Sequence, residues 1–127
     1  MKTVRIQAIG QIALSVEDLD RAVLFYRDVL ELSLLFQING LAFFDVNGTR
    51  LMLSKPEGAS KHSPGSIFYF VVDDLNATYQ TLKQRNVRFL DKPHLIAKMN
   101  GVETWMAFFH DSEGNTLALM NETPTKS

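Results

Sequence analysis

The sequence predicts an α+β fold built from two tandem βαβββ units, and three observations predict it. A strand runs into an amphipathic helix at residues 10–32, GQIALSVEDLDRAVLFYRDVLEL. The same arrangement returns at 66–87, SIFYFVVDDLNATYQTLKQRNV, where Val72, Asp74, Leu75 and Leu82 take the places of Val16, Asp18, Leu19 and Tyr26. Asn-Gly pairs at 39–40, 47–48 and 100–101 separate apolar runs. Asn-Gly is a strong hairpin signal because both residues tolerate positive φ.

The elements follow in order. Ile12–Val16 reads as a strand, ended by Glu17-Asp18. The short Asp18 side chain can accept from the first free helix amides, so it is a good N-cap. Leu19, Ala22, Val23, Tyr26, Val29 and Leu30 recur at helical spacing and make one apolar face. Residues 32–38, 41–46 and 49–54 then read as three strands joined by the tight turns. The polar stretch KPEGASKHSP at 55–64 has two prolines and no periodicity and reads as a linker, with His62 a solvated loop histidine. The second unit repeats the order: a strand at 67–72, a helix at 75–84 capped by Asp74, and an extended run at 87–99 interrupted by Pro93. A strand at 102–110 follows, then a turn at 111–115 fixed by Asp111 and Asn115, and a last strand at 116–121. The expected organisation is a single domain over 1–127: module one at about 9–54, linker 55–65, module two at about 66–121, and a disordered tail at 122–127.

Composition narrows the function. The 127 residues are 46% hydrophobic and 21% charged, the balance of a soluble globular chain. A formal net charge of -1 and no basic run argue against nucleic acid as a partner. No apolar stretch approaches a membrane span, so no membrane partner is expected. The N-terminus lacks the apolar core of a signal peptide, which leaves the cytoplasm as the default location. The absence of cysteine removes disulfides, thiolate nucleophiles and thiolate metal sites together.

IALSVEDLDRAVLFYRDVLEL near the start and FFHDSEGNTLAL near the end resemble the vicinal oxygen chelate superfamily, the glyoxalase, bleomycin-resistance and extradiol-dioxygenase group. The resemblance covers nearly the whole chain. It implies two βαβββ modules closing around a cavity, usually within a homodimer. It also implies that metal-using members hold a divalent cation with one residue from the first and one from the last strand of each module. Those positions fall here on Gln11, Met52, Ile67 and Ala118. An amide, a thioether and two aliphatic groups do not suit a hard divalent cation, which takes anionic oxygens or imidazoles. The expectation is therefore no metal and no cofactor, which argues against the family's metal-assisted chemistries.

Register arithmetic gives a second list. A two-residue turn at 47–48 sets Val46 against Thr49, Asp45 against Arg50 and Phe43 against Met52; across 39–40, Phe36 faces Phe43. Phe36, Phe43 and Met52 then share one face, which is the cavity wall if Met52 points inward as the resemblance implies. Leu35, Phe44, Leu51 and Leu53 point toward the helix. A bulge at either turn would exchange these assignments. In the second half the turn at 100–101 sets Lys98 against Glu103, Ile96 against Trp105 and Leu95 against Met106, with His94 on the face of Trp105. Setting Phe109 against Ala118 turns Trp105, Ala107, Phe109, Ala118 and Met120 inward. The expected ligand-binding residues are Gln11, Phe43, Met52, Ile67, Tyr69, His94, Trp105, Phe109, Ala118 and Met120, an apolar and aromatic lining with a few polar groups. The bland alternative is core filling for Phe36, Phe43, Met52 and Phe109. Glu103 with Lys98 reads as a surface ion pair. Asp45 with Arg50 reads equally as an ion pair or as part of the Met52 face. His110, beside the Asp111 turn, reads as a rim residue.

Three functions fit. The first is a metal-free member that binds a small apolar or aromatic molecule, to sequester or to sense it. The second is a lyase or isomerase with His94 or Glu103 as acid or base, or with a metal on other ligands. The third is an interaction module whose cavity is filled by its own side chains.

Overall fold

The computed structural model describes residues 4–5, 7–55 and 67–125. The chain divides into two compact units, Met1–His62 and Ser63–Ser127. The expected linker beyond Lys55, with His62, lies outside the described residues.

The first unit contains β1 (Gln11–Ser15), α1 (Leu19–Leu24), β2 (Ser33–Ile38), β3 (Leu41–Val46) and β4 (Thr49–Ser54). The sheet order is β1-β4-β3-β2, with β1 and β4 parallel and the remaining pairs antiparallel. Asp18 caps α1 as its sequence position requires: its Oδ1 accepts the Arg21 N–H at 3.0 Å. The helix does not run on as a plain α-helix. Residues Phe25–Val29 widen into a π turn, and the Leu30 N–H donates to Phe25 O at 3.0 Å. Leu19, Ala22, Val23 and Tyr26 stay buried, while Val29 and Leu30 end half-buried. Tyr26 meets Phe44 at 6.0 Å between centroids, and Leu14, Val16, Ala42, Leu51 and Leu53 complete this core.

The second unit contains β5 (Phe68–Val71), α2 (Leu75–Gln84), β6 (Arg88–Phe89), β7 (His94–Met99), β8 (Val102–His110) and β9 (Thr116–Pro124). The order is β5-β9-β8-β6, with β7 also pairing β8 and β5 parallel to β9. Asp74 caps α2 through the Ala77 N–H at 3.0 Å. Tyr79 of α2 packs edge-on against Phe89 at 4.6 Å, and Phe89 against Phe109 at 5.4 Å. Leu75, Leu82, Val87, Ala107, Leu117 and Leu119 fill in around them. Between β6 and β7 the chain detours around Pro93. Asp91 holds the detour in place by accepting the Phe108 N–H at 2.9 Å.

All three Asn-Gly pairs adopt positive φ at both residues, the geometry of a hairpin turn matched to strand twist. The five-residue turn at 111–115 closes on itself. Asp111 Oδ1 accepts the Glu113 and Asn115 N–H groups at 2.8 Å, and Asn115 Nδ2 donates to Asp111 Oδ2 at 2.9 Å. One boundary differs from expectation: β9 continues through Glu122, Thr123 and Pro124, which pair with Thr104, Glu103 and Val102. These residues therefore belong to the sheet and not to a tail.

The register of the first hairpins is as the turns dictate, with Phe43 opposite Met52, Asp45 opposite Arg50 and Phe36 opposite Phe43. Each unit then carries a bulge that the sequence reading did not place. In β2 the register shifts between Leu34 and Phe36, so that Leu34 and not Leu35 opposes Phe44, and Leu35 is left 49% exposed. In β7 it shifts between Leu95 and Ala97, leaving Ile96 46% exposed. Leu35 and Ile96 stand four residues ahead of Asn39 and Asn100, so the duplication extends to the bulge itself.

Among the described residues, no helix is long and apolar enough to cross a membrane.

Candidate functional site

Side chains of a strand alternate between faces, so the register decides what each sheet shows on the side away from its helix. In the first unit Phe44, Leu51 and Leu53 face α1 and are buried. The opposite face carries Gln11, Phe36, Phe43, Asp45, Arg50 and Met52. Phe36 and Phe43 stack with centroids 4.5 Å apart and planes at 28°. The Arg50 guanidinium lies 5.7 Å from the Phe43 centroid. The Gln11 amide nitrogen reaches Met52 Sδ at 3.8 Å, so the two chelating positions of this unit touch. Asp45 does not engage Arg50; its Oδ1 accepts the Gly48 N–H at 3.1 Å.

In the second unit the register overturns part of the expected pocket. Phe109 pairs with Leu117, and Ala118 pairs with Phe108. Phe109 is fully buried against Phe89, on the α2 side of the sheet. Trp105 alternates with it and lies on that same side. The bulge at Ile96 sets Leu95 opposite Trp105 and His94 opposite Met106, so His94 and Trp105 do not share a face. The Trp105 Nε1–H donates to Glu103 Oε1 at 3.0 Å, and Lys98 Nζ lies 3.9 Å from Glu103 Oε2. Glu103 is thus held by an indole and an ammonium, the cross-strand pairing expected of it.

The other face of this sheet presents Ile67, Tyr69, Met106, Phe108, Ala118 and Met120. Tyr69 meets Phe108 edge-on at 6.1 Å. His94 lies on this face beside Met106, with its Nδ1 2.9 Å from Lys92 O and 3.6 Å from Asp91 Oδ2. Donation from Nδ1 to that carbonyl leaves Nε2 as the acceptor of the neutral ring. The sequence reading missed Met106, Phe108 and the pair Thr104–Glu122, whose side chains lie 3.4 Å apart. A cavity of about 460 Å³ opens there between Ala97, Met99, Val102, Thr104, Glu122 and Pro124. The signal that could have found them is the five-residue turn, which pairs His110 with Thr116 and so sets Phe108 against Ala118. His110 keeps a buried Nδ1 that finds no hydrogen-bond partner among the described residues.

The four positions that would chelate a metal fall on these outer faces, Gln11 and Met52 in one unit, Ile67 and Ala118 in the other. Their donor set is one neutral amide oxygen and one thioether, with two hydrocarbons, and it does not fit a divalent cation. Among the described residues no three of His, Asp and Glu gather as an alternative.

Residues 8–119 match the family model described as the glyoxalase/bleomycin resistance protein/dioxygenase superfamily. The chain is 33% identical over 91 residues to the metallothiol transferase FosB of Lysinibacillus sphaericus (strain C3-41), a match covering 68% of this chain and 64% of that protein. The chain thus spans less than two thirds of that relative's length. Among solved structures, an integron cassette protein from the mobile metagenome of V. cholerae superposes with a TM-score of 0.77 at 16% identity, over 94% of this chain and 98% of that one. A lactoylglutathione lyase from Agrobacterium tumefaciens superposes with a TM-score of 0.72 at 24% identity, over 91% and 94%. At these identities the structural likeness concerns the fold alone.

Proposed function

Since the chain belongs to the glyoxalase/bleomycin resistance protein/dioxygenase superfamily and carries Gln11, Met52, Ile67 and Ala118 at the chelating positions, we propose that it is a metal-free binding member of that family. Its ligand is a small apolar or aromatic molecule, held for sequestration or sensing. One observation carries this reading. On the outer face of the first sheet, where a metal-using member would place an imidazole and a carboxylate, Gln11 touches Met52 beside the stacked rings of Phe36 and Phe43. Such a surface gains by covering apolar area, and its chelating positions offer a divalent cation only one amide oxygen and one thioether to replace its water. Phe36, Ile67 and Tyr69 stand 45%, 38% and 45% exposed, which is apolar area that a ligand can remove from water. The relative's name describes a metallothiol transferase, and the metal part of that activity does not carry over to this donor set. Two such chains pairing as a homodimer, and a cytoplasmic setting, complete the proposal.

The test uses the chain's five methionines. With 13C-methyl methionine incorporated, titration with indole, phenol and naphthalene derivatives shifts the methyl resonances of Met52, Met106 and Met120. If a broad panel of such compounds leaves all three in place, the binding reading fails and the interaction-module reading replaces it. An acid–base role for His94 on an enolisable substrate would instead show as turnover that disappears in His94→Ala.

A further inference from the structure

Arg50 makes no ion pair among the described residues and stands on a face it shares with Phe36, Phe43 and Met52. It stands on β4 between two cross-strand neighbours, Gln11 on β1 and Asp45 on β3. Asp45 is the cross-strand residue placed to neutralise it, but that carboxylate turns to the Asn47-Gly48 turn and accepts the Gly48 N–H at 3.1 Å. Among the described residues no carboxylate lies within ion-pair distance of the Arg50 guanidinium. Arg27 shows the contrast, since its Nε sits 2.9 Å from Asp28 Oδ1. What Arg50 does touch is the ring of Phe43, 5.7 Å from its centroid, and Phe43 in turn stacks on the half-exposed Phe36.

A guanidinium held over an aromatic ring has its stem packed and its orientation limited, while its in-plane N–H groups remain free. Those donors form a fork that matches a carboxylate with two parallel hydrogen bonds. Along β4 from the fork lies Met52, which the Gln11 amide touches and whose thioether suits the face or edge of an aromatic ring. A charge and an apolar side chain side by side select a molecule that joins the two complements.

We infer that the first sheet's outer face selects small aromatic carboxylates, with Arg50 taking the carboxylate and Met52, two residues along β4, taking the ring. This rests on the reading above that the face binds an apolar molecule, and adds the charge that the ligand must carry. Asp45 shares the face and disfavours an anion placed on its side of Arg50, so the carboxylate is expected on the side toward Gln11.

The experiment compares three molecules of nearly one shape: phenylacetate, phenylacetamide and phenethylamine. Each is titrated into the full chain by calorimetry, with the Met52 methyl resonance reporting the place of binding. The expected result is an acid that binds about five- to tenfold tighter than the amide, the range for a charge-assisted bond at an exposed site. Arg50→Gln removes that preference, so that acid and amide bind alike. Arg50→Lys keeps only part of it, since an ammonium lacks the fork. Circular dichroism and a thermal transition confirm that both variants fold. Equal binding of acid and amide, a preference for the amine, or a preference that survives Arg50→Gln would each overturn the inference while leaving apolar binding intact. If none of the three moves Met52 while the indole, phenol and naphthalene panel still shifts the methionine methyls, the inference falls and the binding reading stands.

Discussion

Phe108 and Phe109 are adjacent residues with opposite fates, and replacing each by alanine separates the two sides of the second sheet. Phe109 is fully buried, 5.4 Å from Phe89, which packs on Tyr79 of α2. Removing a buried phenylalanine side chain costs about 3–5 kcal/mol, including the cavity it leaves. With a urea slope of about 2 kcal/mol/M, the midpoint of unfolding falls by roughly 2 M. Should Phe109→Ala fail to fold, Phe109→Leu retains most of the volume and costs about 1–1.5 kcal/mol. Phe108 is half-buried on the outer face, meeting Tyr69 edge-on at 6.1 Å. Its removal costs about 1–2 kcal/mol, since part of the ring is already in contact with water and the site can collapse toward solvent. Equilibrium urea unfolding followed by far-UV circular dichroism measures both. The register reasoning is refuted if Phe108→Ala costs more than Phe109→Ala.

Other outcomes follow from the same geometry. Asp74→Ala removes the acceptor of the Ala77 N–H and lowers stability by about 1 kcal/mol, read as a lower thermal midpoint with α2 fraying in hydrogen exchange. Glu103→Ala strips the Trp105 indole N–H of its partner, costing about 1–2 kcal/mol and changing the wavelength of tryptophan emission, whereas ligand binding on the outer faces leaves that emission unchanged. Gly101→Ala forces an L side chain to φ +78°, and a loss of about 1 kcal/mol in urea unfolding is expected. The hydrogen bond from Arg27, opposed by a small desolvation and helped by the charge of Arg27, holds the Asp28 carboxyl below the ordinary carboxylate range. A depressed carboxyl adds stability above its unfolded pKa and loses it as pH falls through the folded one. Asp28→Asn therefore slightly lowers stability at neutral pH, leaves it unchanged below the folded pKa, and so makes the acid limb of the stability profile shallower.

Much of this fold is legible because its signals are local. Asp18 and Asp74 cap helices through their own side chains, and the Asn-Gly pairs set hairpin registers within two residues of themselves. Phe43 against Met52 follows directly from the turn at 47–48, and so does the outer face of the first sheet. The bulges at Leu35 and Ile96 are less legible. Each falls in a run, SLLFQI or HLIAKM, where apolar residues stand side by side, so no alternation of polarity marks the extra residue. One residue of slip reverses every side chain beyond it, which is how His94 and Trp105 part company. The second slip lies at the Asp111 turn, where counting from Ala118 to Phe109 in place of Phe108 moved Phe109 out of the core. The π turn at Phe25 leaves no mark in the sequence, because its apolar residues satisfy an α-helical spacing equally well.

Metal-free binding follows from the chemistry of Gln11, Met52, Ile67 and Ala118. Elemental analysis of the untreated protein, followed by calorimetric titration with Zn²⁺, Mn²⁺ and Ni²⁺, tests it most directly. The account predicts substoichiometric metal on isolation, no saturable heat of binding and no change between the natural chain and Gln11→Ala. One divalent ion per chain, lost when Gln11 or Met52 is replaced by alanine, would contradict it.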